Sequence, residues 1–191
     1  MVKCNRNGQA ATLTPAQLDA LMDQLSPICR AALSTRRFTA VRINEALSLK
    51  WESATSAELV IPKAVTKKKM KTRSIPMTPT LSQELSIWKA AWPSVAGREP
   101  EPADLLFPGK DPTKHITRQN IDHFLRKACK NLGIEGASTH SFRRSALTAA
   151  SDKGVPLRVI QSISGHSSLE MLQRYLDVGD EQKRAAALAF G

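Results

Sequence analysis

One stretch does most to fix what this chain can become. Between Glu58 and Met77 two short apolar runs, Glu58 to Pro62 and Arg73 to Met77, flank a basic segment, Thr66-Lys67-Lys68-Lys69-Met70-Lys71-Thr72. Runs this short, bounded by Pro and polar residues, read as strands, here a hairpin with a basic tip but no Asn-Gly tight turn. Around it the pattern is helical. Thr14-Pro15-Ala16-Gln17 supplies an N-cap, a Pro at the first helical position and a capping-box Gln. Leu18, Leu21, Met22 and Leu25 follow at helical spacing, and Ser26-Pro27 starts a second helix through Ile28, Ala32 and Leu33. A third helix is expected from Asn44 to Leu49, and a fourth from Thr80 with Leu81, Leu85 and Trp88 on one face. Pro93 to Pro112 reads as a surface connection. Thr117 caps a helix whose apolar residues are Ile121, Phe124, Leu125, Ala128 and Leu132, ended by Gly133. Ser138 to Lys153, Pro156 to Ile163, a segment capped by Ser167 or Ser168, and an Ala-rich piece at 180–190 complete the series. The expected class is α+β, mostly α-helical, with a small antiparallel β-sheet.

Composition narrows the function. With 41% hydrophobic residues, the chain of 191 residues can build a core, and no stretch approaches the roughly 20 apolar residues of a membrane span. The first residues lack the apolar centre of a secretory signal. Lys and Arg total 28 against 17 Asp and Glu, a formal charge of +11. Such a balance points to a polyanion, nucleic acid before an anionic membrane. Cys4, Cys29 and Cys129 form no C-x-x-C pair, and His115, His123, His140 and His166 show no H-x-x-x-H spacing. Disulfide scaffolds and metal sites are therefore disfavoured, a reducing cytoplasm fits, and no phosphate-loop or dinucleotide fingerprint appears.

Four segments carry groups able to do chemistry. Arg42 and Glu45 lie one turn apart beside an apolar face; the lysine-rich tip could deliver an ammonium. His140 and Arg143, three apart, project from one helical face, where a guanidinium fork and an imidazole can hold one phosphate. Gly165-His166 precedes Tyr175, the sole tyrosine. Taken singly, each has an ordinary explanation: an intrahelical ion pair, a solvated loop, a helix-start His with surface arginines, a packed Tyr.

Together, in this order, they resemble the catalytic domain of the tyrosine recombinases, the phage integrase family. The R-I-x-E-x-x-x-L pattern is met by Arg42-Ile43-Asn44-Glu45 and Leu49, and the hairpin ending R-x-I/V-P by Arg73-Ser74-Ile75-Pro76. H-x-L-R is met by His140-Ser141-Phe142-Arg143, and L-G-H with a Tyr nine residues on by Gly165-His166 and Tyr175. Departures are Ala40 for a Gly, Phe142 for a Leu and Ser164 for a Leu, all packing or turn positions. Arg36 and Arg37 stand where the family is apolar, with DNA-backbone contact one account of them.

The resemblance implies a site-specific recombinase or integrase that cleaves and rejoins double-stranded DNA through a 3′-phosphotyrosyl bond. It implies no metal, no other cofactor, no ATP and no small-molecule substrate. Tyr175 would be the nucleophile, Arg42 and Arg143 the phosphate clamps, His140 and His166 hydrogen-bond donors with His140 also the base. Lys68 would be the acid for the 5′-oxygen, with Lys67, Lys69 and Lys71 as rivals, and Glu45 would support Arg42. Lys67, Lys69, Lys71, Arg73 and Arg144 are the expected DNA contacts. Other readings are a type IB topoisomerase-like enzyme, a non-catalytic DNA-binding regulator and an RNA-binding protein. The expected organisation is a flexible segment 1–13, a catalytic domain 14–176 and a tail helix 177–191 that can be exchanged between subunits of a multimer on DNA. Most of the family also carries an N-terminal helical domain over the far side of the DNA, so the chain is either a short member or a piece of a longer one.

Overall fold

A computed structural model describes residues 9–66, 71–176 and 180–190. The elements run α1 (Pro15–Asp23), α2 (Pro27–Thr39), α3 (Ile43–Leu47), β1 (Glu58–Ile61), β2 (Arg73–Pro76), α4 (Pro79–Ala91), α5 (Pro93–Ala96), α6 (Arg118–Asn131), α7 (Thr139–Asp152), α8 (Leu157–Ser164), α9 (Leu169–Gln173) and α10 (Asp180–Ala189). Among the described residues no helix is long and apolar enough to cross a membrane.

Local chemistry explains the boundaries. Thr14 closes a full capping box with Gln17, and Thr78, Thr117 and Ser168 each accept a backbone N–H in the first turn of α4, α6 and α9. Helix α3 starts and stops earlier than its sequence suggests, because the backbone turns into a 3₁₀ segment at Trp51–Ser53. The two strands pair antiparallel, Leu59 opposite Ile75 and Ile61 opposite Arg73. Opposed residues share a face, so Arg73 points to the side that buries Leu59, Ile61 and Ile75.

Helix α2 is the central post, packed on α4, α7, α3 and α1. Its polar ties include Arg30, which grips the Glu84 carboxylate of α4 at 2.8 and 2.9 Å. The main core joins α1–α4, the hairpin and α6 around Leu33, Leu47, Trp88, Phe107 and Phe142. A smaller cluster of Ala40, Leu147, Ile160 and Leu172 binds α8 and α9 to α7, with Tyr175 packed against it.

Two expectations need correction. Pro93 to Pro112 is not merely a surface connection: Leu106 and Phe107 are fully buried. Leu106 N–H donates to Leu49 O at 2.8 Å, and Trp88 Nε1 donates to Leu106 O at 2.7 Å. The Pro- and Gly-rich flanks mask this apolar triplet, Leu105-Leu106-Phe107. On α6, Ile121, Leu125 and Ala128 are buried, whereas Phe124 and Leu132 sit at the stripe's edge and face solvent.

Candidate active site

Helix ends and one strand bring the sequence-selected residues together. Arg42 sits at the N-cap of α3, where its backbone N–H donates to Glu45 Oε2 at 3.0 Å. Its Nη1 donates to Glu45 Oε1 at 3.0 Å and its Nη2 to Gly165 O at 2.7 Å. From β2, Arg73 Nη2 donates to Glu45 Oε2 at 2.7 Å. One buried carboxylate thus spans two guanidinium groups from separate elements. Burial alone would raise the Glu45 carboxyl, but hydrogen bonds from Arg73 and the Arg42 amide, and both positive charges, hold it below the usual range.

Arg143 projects from the second turn of α7 and is buried. Its Nη1 donates to Ala40 O, and its Nη2 donates to Ser164 O at 3.1 Å and approaches His166 Nε2 at 2.9 Å. Ala40 caps α2 and Gly165 caps α8, both left-handed at φ 52° and 70°. Both arginines therefore rest on carbonyls at helix C-termini, whose partial negative charge favours cations. Ala40 holds without a glycine the conformation for which glycine is the usual choice. Desolvation and then Arg42 lower the Arg143 guanidinium to about 10.

His166 is buried, and its ring centroid lies 5.0 Å from that of Tyr175. Arg143 Cζ stands 5.7 Å from the Tyr175 centroid. Burial and then the Arg143, Arg42 and Arg73 charges push the imidazole down to about 3, so it is neutral. His140 opens α7 and, with Tyr175, Arg144, Arg174, Ser138 and Gln9, lines a cavity of about 290 Å³. A second cleft, about 550 Å³, lies between β2 and α8 and is walled by Lys71, Arg73, Arg158, Gln161, Gly165 and His166.

The structure thus gathers Arg42, Glu45, Arg73, Arg143, His166 and Tyr175, with His140 beside Tyr175. Lys67, Lys68 and Lys69 lie outside the described residues; Lys71 is exposed at the cleft. Two residues read as DNA contacts have partners within the chain. Arg73 is turned inward onto Glu45, and its side chain is only 12% exposed. Arg144 is buried, donating through Nε to Thr12 Oγ1 at 3.0 Å and through Nη1 to Gln9 Oε1. It fastens residues 9–13 along α7, where Ala11 N–H also donates to Gly136 O at 3.0 Å. Arg36 is fully buried, which removes it from the protein surface and from any backbone contact with DNA. Among the described residues no group accepts from its guanidinium, and burial, then Arg143, lowers it to about 9. The carbonyls of Ala40, Ser164 and Gly165 and the Ser164 hydroxyl escaped sequence reading. The glycine that ends α8 was the available sign that main-chain carbonyls are presented there.

Residues 11–182 match the model of the phage integrase family. The chain belongs to that family. The tyrosine recombinase XerD of Vibrio vulnificus (strain YJ016) is 29% identical over 179 residues, an alignment covering 89% of this chain and 57% of XerD. The XerA recombinase crystal structure superposes with a TM-score of 0.75 at 19% identity, covering 98% of this chain and 65% of XerA. XerH recombinase bound to its difH substrate gives a TM-score of 0.72 at 20% identity, covering 96% of this chain and 55% of XerH. The chain therefore spans between half and two thirds of these relatives and shares the fold of the family's catalytic part.

Proposed function

We propose that this chain carries the strand-cleaving and rejoining centre of a site-specific DNA recombinase, with residues 14–176 as its catalytic domain. One observation carries the reading: the Arg42 and Arg73 guanidinium groups share the Glu45 carboxylate, while Arg143 and Arg42 rest on the adjoining carbonyls of Ser164 and Gly165 and Arg143 lies beside the sole tyrosine. Such an excess of fixed positive charge is suited to a phosphodiester. In the reaction proposed, the Tyr175 oxygen forms a bond to the scissile phosphorus while the bond to the 5′-oxygen breaks. His140 takes the phenolic proton, and Lys68 gives one to the departing oxygen. Charge gathering on the nonbridging oxygens is met by Arg42 and Arg143, which exchange their carbonyl partners for the phosphate. Lysine there would lose the planar fork. Glu45 and Arg73 hold Arg42 in place. Religation reverses the steps, so the bond energy is retained in the phosphotyrosine.

The proposed partner is duplex DNA, bound by a charge of +11 and by Lys67, Lys69, Lys71 and the basic cleft, in a prokaryotic cytoplasm. XerH, with the same fold, was crystallised on its difH DNA. Self-association on DNA is part of the proposal, with the tail 177–191 passing between subunits. The test is covalent trapping on a suicide duplex whose cut strand loses its 5′-hydroxyl fragment. Wild-type protein should form an adduct, and Tyr175→Phe should bind the duplex with unchanged affinity and form none. An adduct surviving that substitution rejects the assignment.

A further inference from the structure

We propose that Ser164 is a positioning residue whose hydroxyl, acting with the Arg143 guanidinium, sets the tautomer of His166 and, through it, the orientation of Arg143. The proposal rests on the recombinase reading only for its consequence in catalysis; its structural half stands on hydrogen-bond logic.

Ser164 is the last residue of α8 and is fully buried. Its Oγ lies 2.8 Å from His166 Nδ1, while Arg143 Nη2 lies 2.9 Å from Nε2. The same Nη2 passes Nδ1 at 3.3 Å, a longer approach to the neighbouring ring atom. A guanidinium can only donate. The ring nitrogen nearest to it must therefore offer a lone pair, and a neutral imidazole then carries its one proton on Nδ1. That proton has one good acceptor, the Ser164 oxygen. The hydroxyl hydrogen is left to point at Gln161 O, 3.5 Å away. The opposite tautomer would set an Nε2–H against the N–H of Arg143. Ser164 also meets Arg143 directly, because its carbonyl accepts from Nη2 at 3.1 Å. The same turn is pinned by Gln161 Nε2, which donates to His166 O at 3.1 Å. One serine thus governs the imidazole by its side chain and the arginine by its main chain. The hydrogen bond at one ring nitrogen of a histidine decides what the other nitrogen can do in the chemistry.

Ser164→Ala removes one oxygen from this arrangement, leaves every backbone contact in place, and should fold. Without the hydroxyl, Nδ1–H is left buried without its acceptor, and moving the proton to Nε2 relieves this only if Arg143 turns its N–H away, so tautomer and Arg143 orientation change together. The experiment is long-range proton–nitrogen NMR on the 191-residue chain labelled in its histidines, without DNA. It is paired with single-turnover cleavage of a suicide duplex and a duplex-binding titration. Wild type should show one neutral His166 species with the proton on Nδ1; Ser164→Ala should show a mixture or the Nε2–H form. Cleavage should slow by roughly 10-fold, with duplex affinity unchanged. A single Nδ1–H species persisting in Ser164→Ala, or cleavage at the wild-type rate, overturns the proposal. So does an equal loss of affinity and cleavage. If the wild type forms no adduct at all, the recombinase reading fails, and the tautomer is decided by the NMR alone.

Discussion

His166 shows what the cluster of guanidinium groups costs and gives. Buried among Arg143, Arg42 and Arg73, its imidazole falls from an ordinary 6.5 to about 3 and stays neutral in the folded chain. The unfolded chain takes up this proton as the pH drops below 6.5, while the native chain refuses it until about pH 3. Stability contributed by the neutral ring is therefore intact above pH 6.5 and lost as pH falls through that window, by roughly 1.4 kcal/mol per pH unit for this group acting alone. Glu45 works in the same direction lower down. Its carboxyl is held below its ordinary value, so its contribution is present above the unfolded pKa and lost as pH falls through the folded one. Denaturant melts of wild type and His166→Gln between pH 7 and pH 5 test this, and the variant should lose stability less steeply in acid. Parallel slopes would mean that other groups set the acid response. The family resemblance, not any single residue type, picked out the proposed reactive set of Arg42, His140, Arg143, His166 and Tyr175. Their partners were not legible, because backbone carbonyls carry no sequence signature of their own.

At the level of elements, the turn after α8 and strand β2 behave as one unit. A Cβ on Gly165 would lie 1.7 Å from Arg73 Nη1, and the residue already stands at φ +70°. Gly165→Ala should cost about 1–2 kcal/mol of stability for the left-handed backbone. It should also drive the Arg73 guanidinium off Glu45, loosening the carboxylate that holds Arg42. Displacing a catalytic group by an ångström commonly costs about 10²-fold in rate. Single-turnover cleavage beside thermal denaturation separates the two effects: the rate should fall at temperatures where the variant is still folded. A rate loss that tracks only the unfolded fraction would deny the link between hairpin and site. The elements themselves were easy to read where a cap or a period marks them, as with Thr14, Thr117 and the face through Leu81, Leu85 and Trp88. Arg73 illustrates a signal present but unused. Alternation along Arg73-Ser74-Ile75 puts it on the side of the buried Ile75, inward rather than toward solvent. Leu105 to Phe107 failed for the opposite reason: three residues are too short for any period, and tertiary hydrogen bonds to Leu49 O and from Trp88, Trp92 and Ile116 define them.

Across the whole molecule, one described part stands apart from the rest. Among the described residues helix α10 contributes none to either core cluster, and Leu188 and Phe190, the latter just past the helix end, are 82% and 89% exposed. Its internal support is modest, an exposed Lys183–Asp180 ion pair at 2.9 Å. A helix of ten residues is marginal in water without a surface to pack on. The remainder of the chain is tied by long-range contacts from Leu13 to Leu172, and Tyr175 hangs on the smaller cluster at the end of that body. The apolar end of the tail thus adds nothing to its own domain. Under the proposal that it passes to a neighbouring subunit, its value appears only when subunits meet on DNA. Deleting the residues after Gly179 should then leave the denaturation midpoint within about 0.5 kcal/mol of the full chain, the scale of surface changes. Binding of one subunit to one site should be equally unaffected. Cooperative occupation of a paired site, followed by gel-shift titration, should be lost, and strand exchange with it. A truncated protein that still fills paired sites cooperatively would place the subunit contact elsewhere. A truncated protein that is markedly less stable would mean that the tail docks on its own domain, where the exposure of Leu188 and Phe190 gives it no seat.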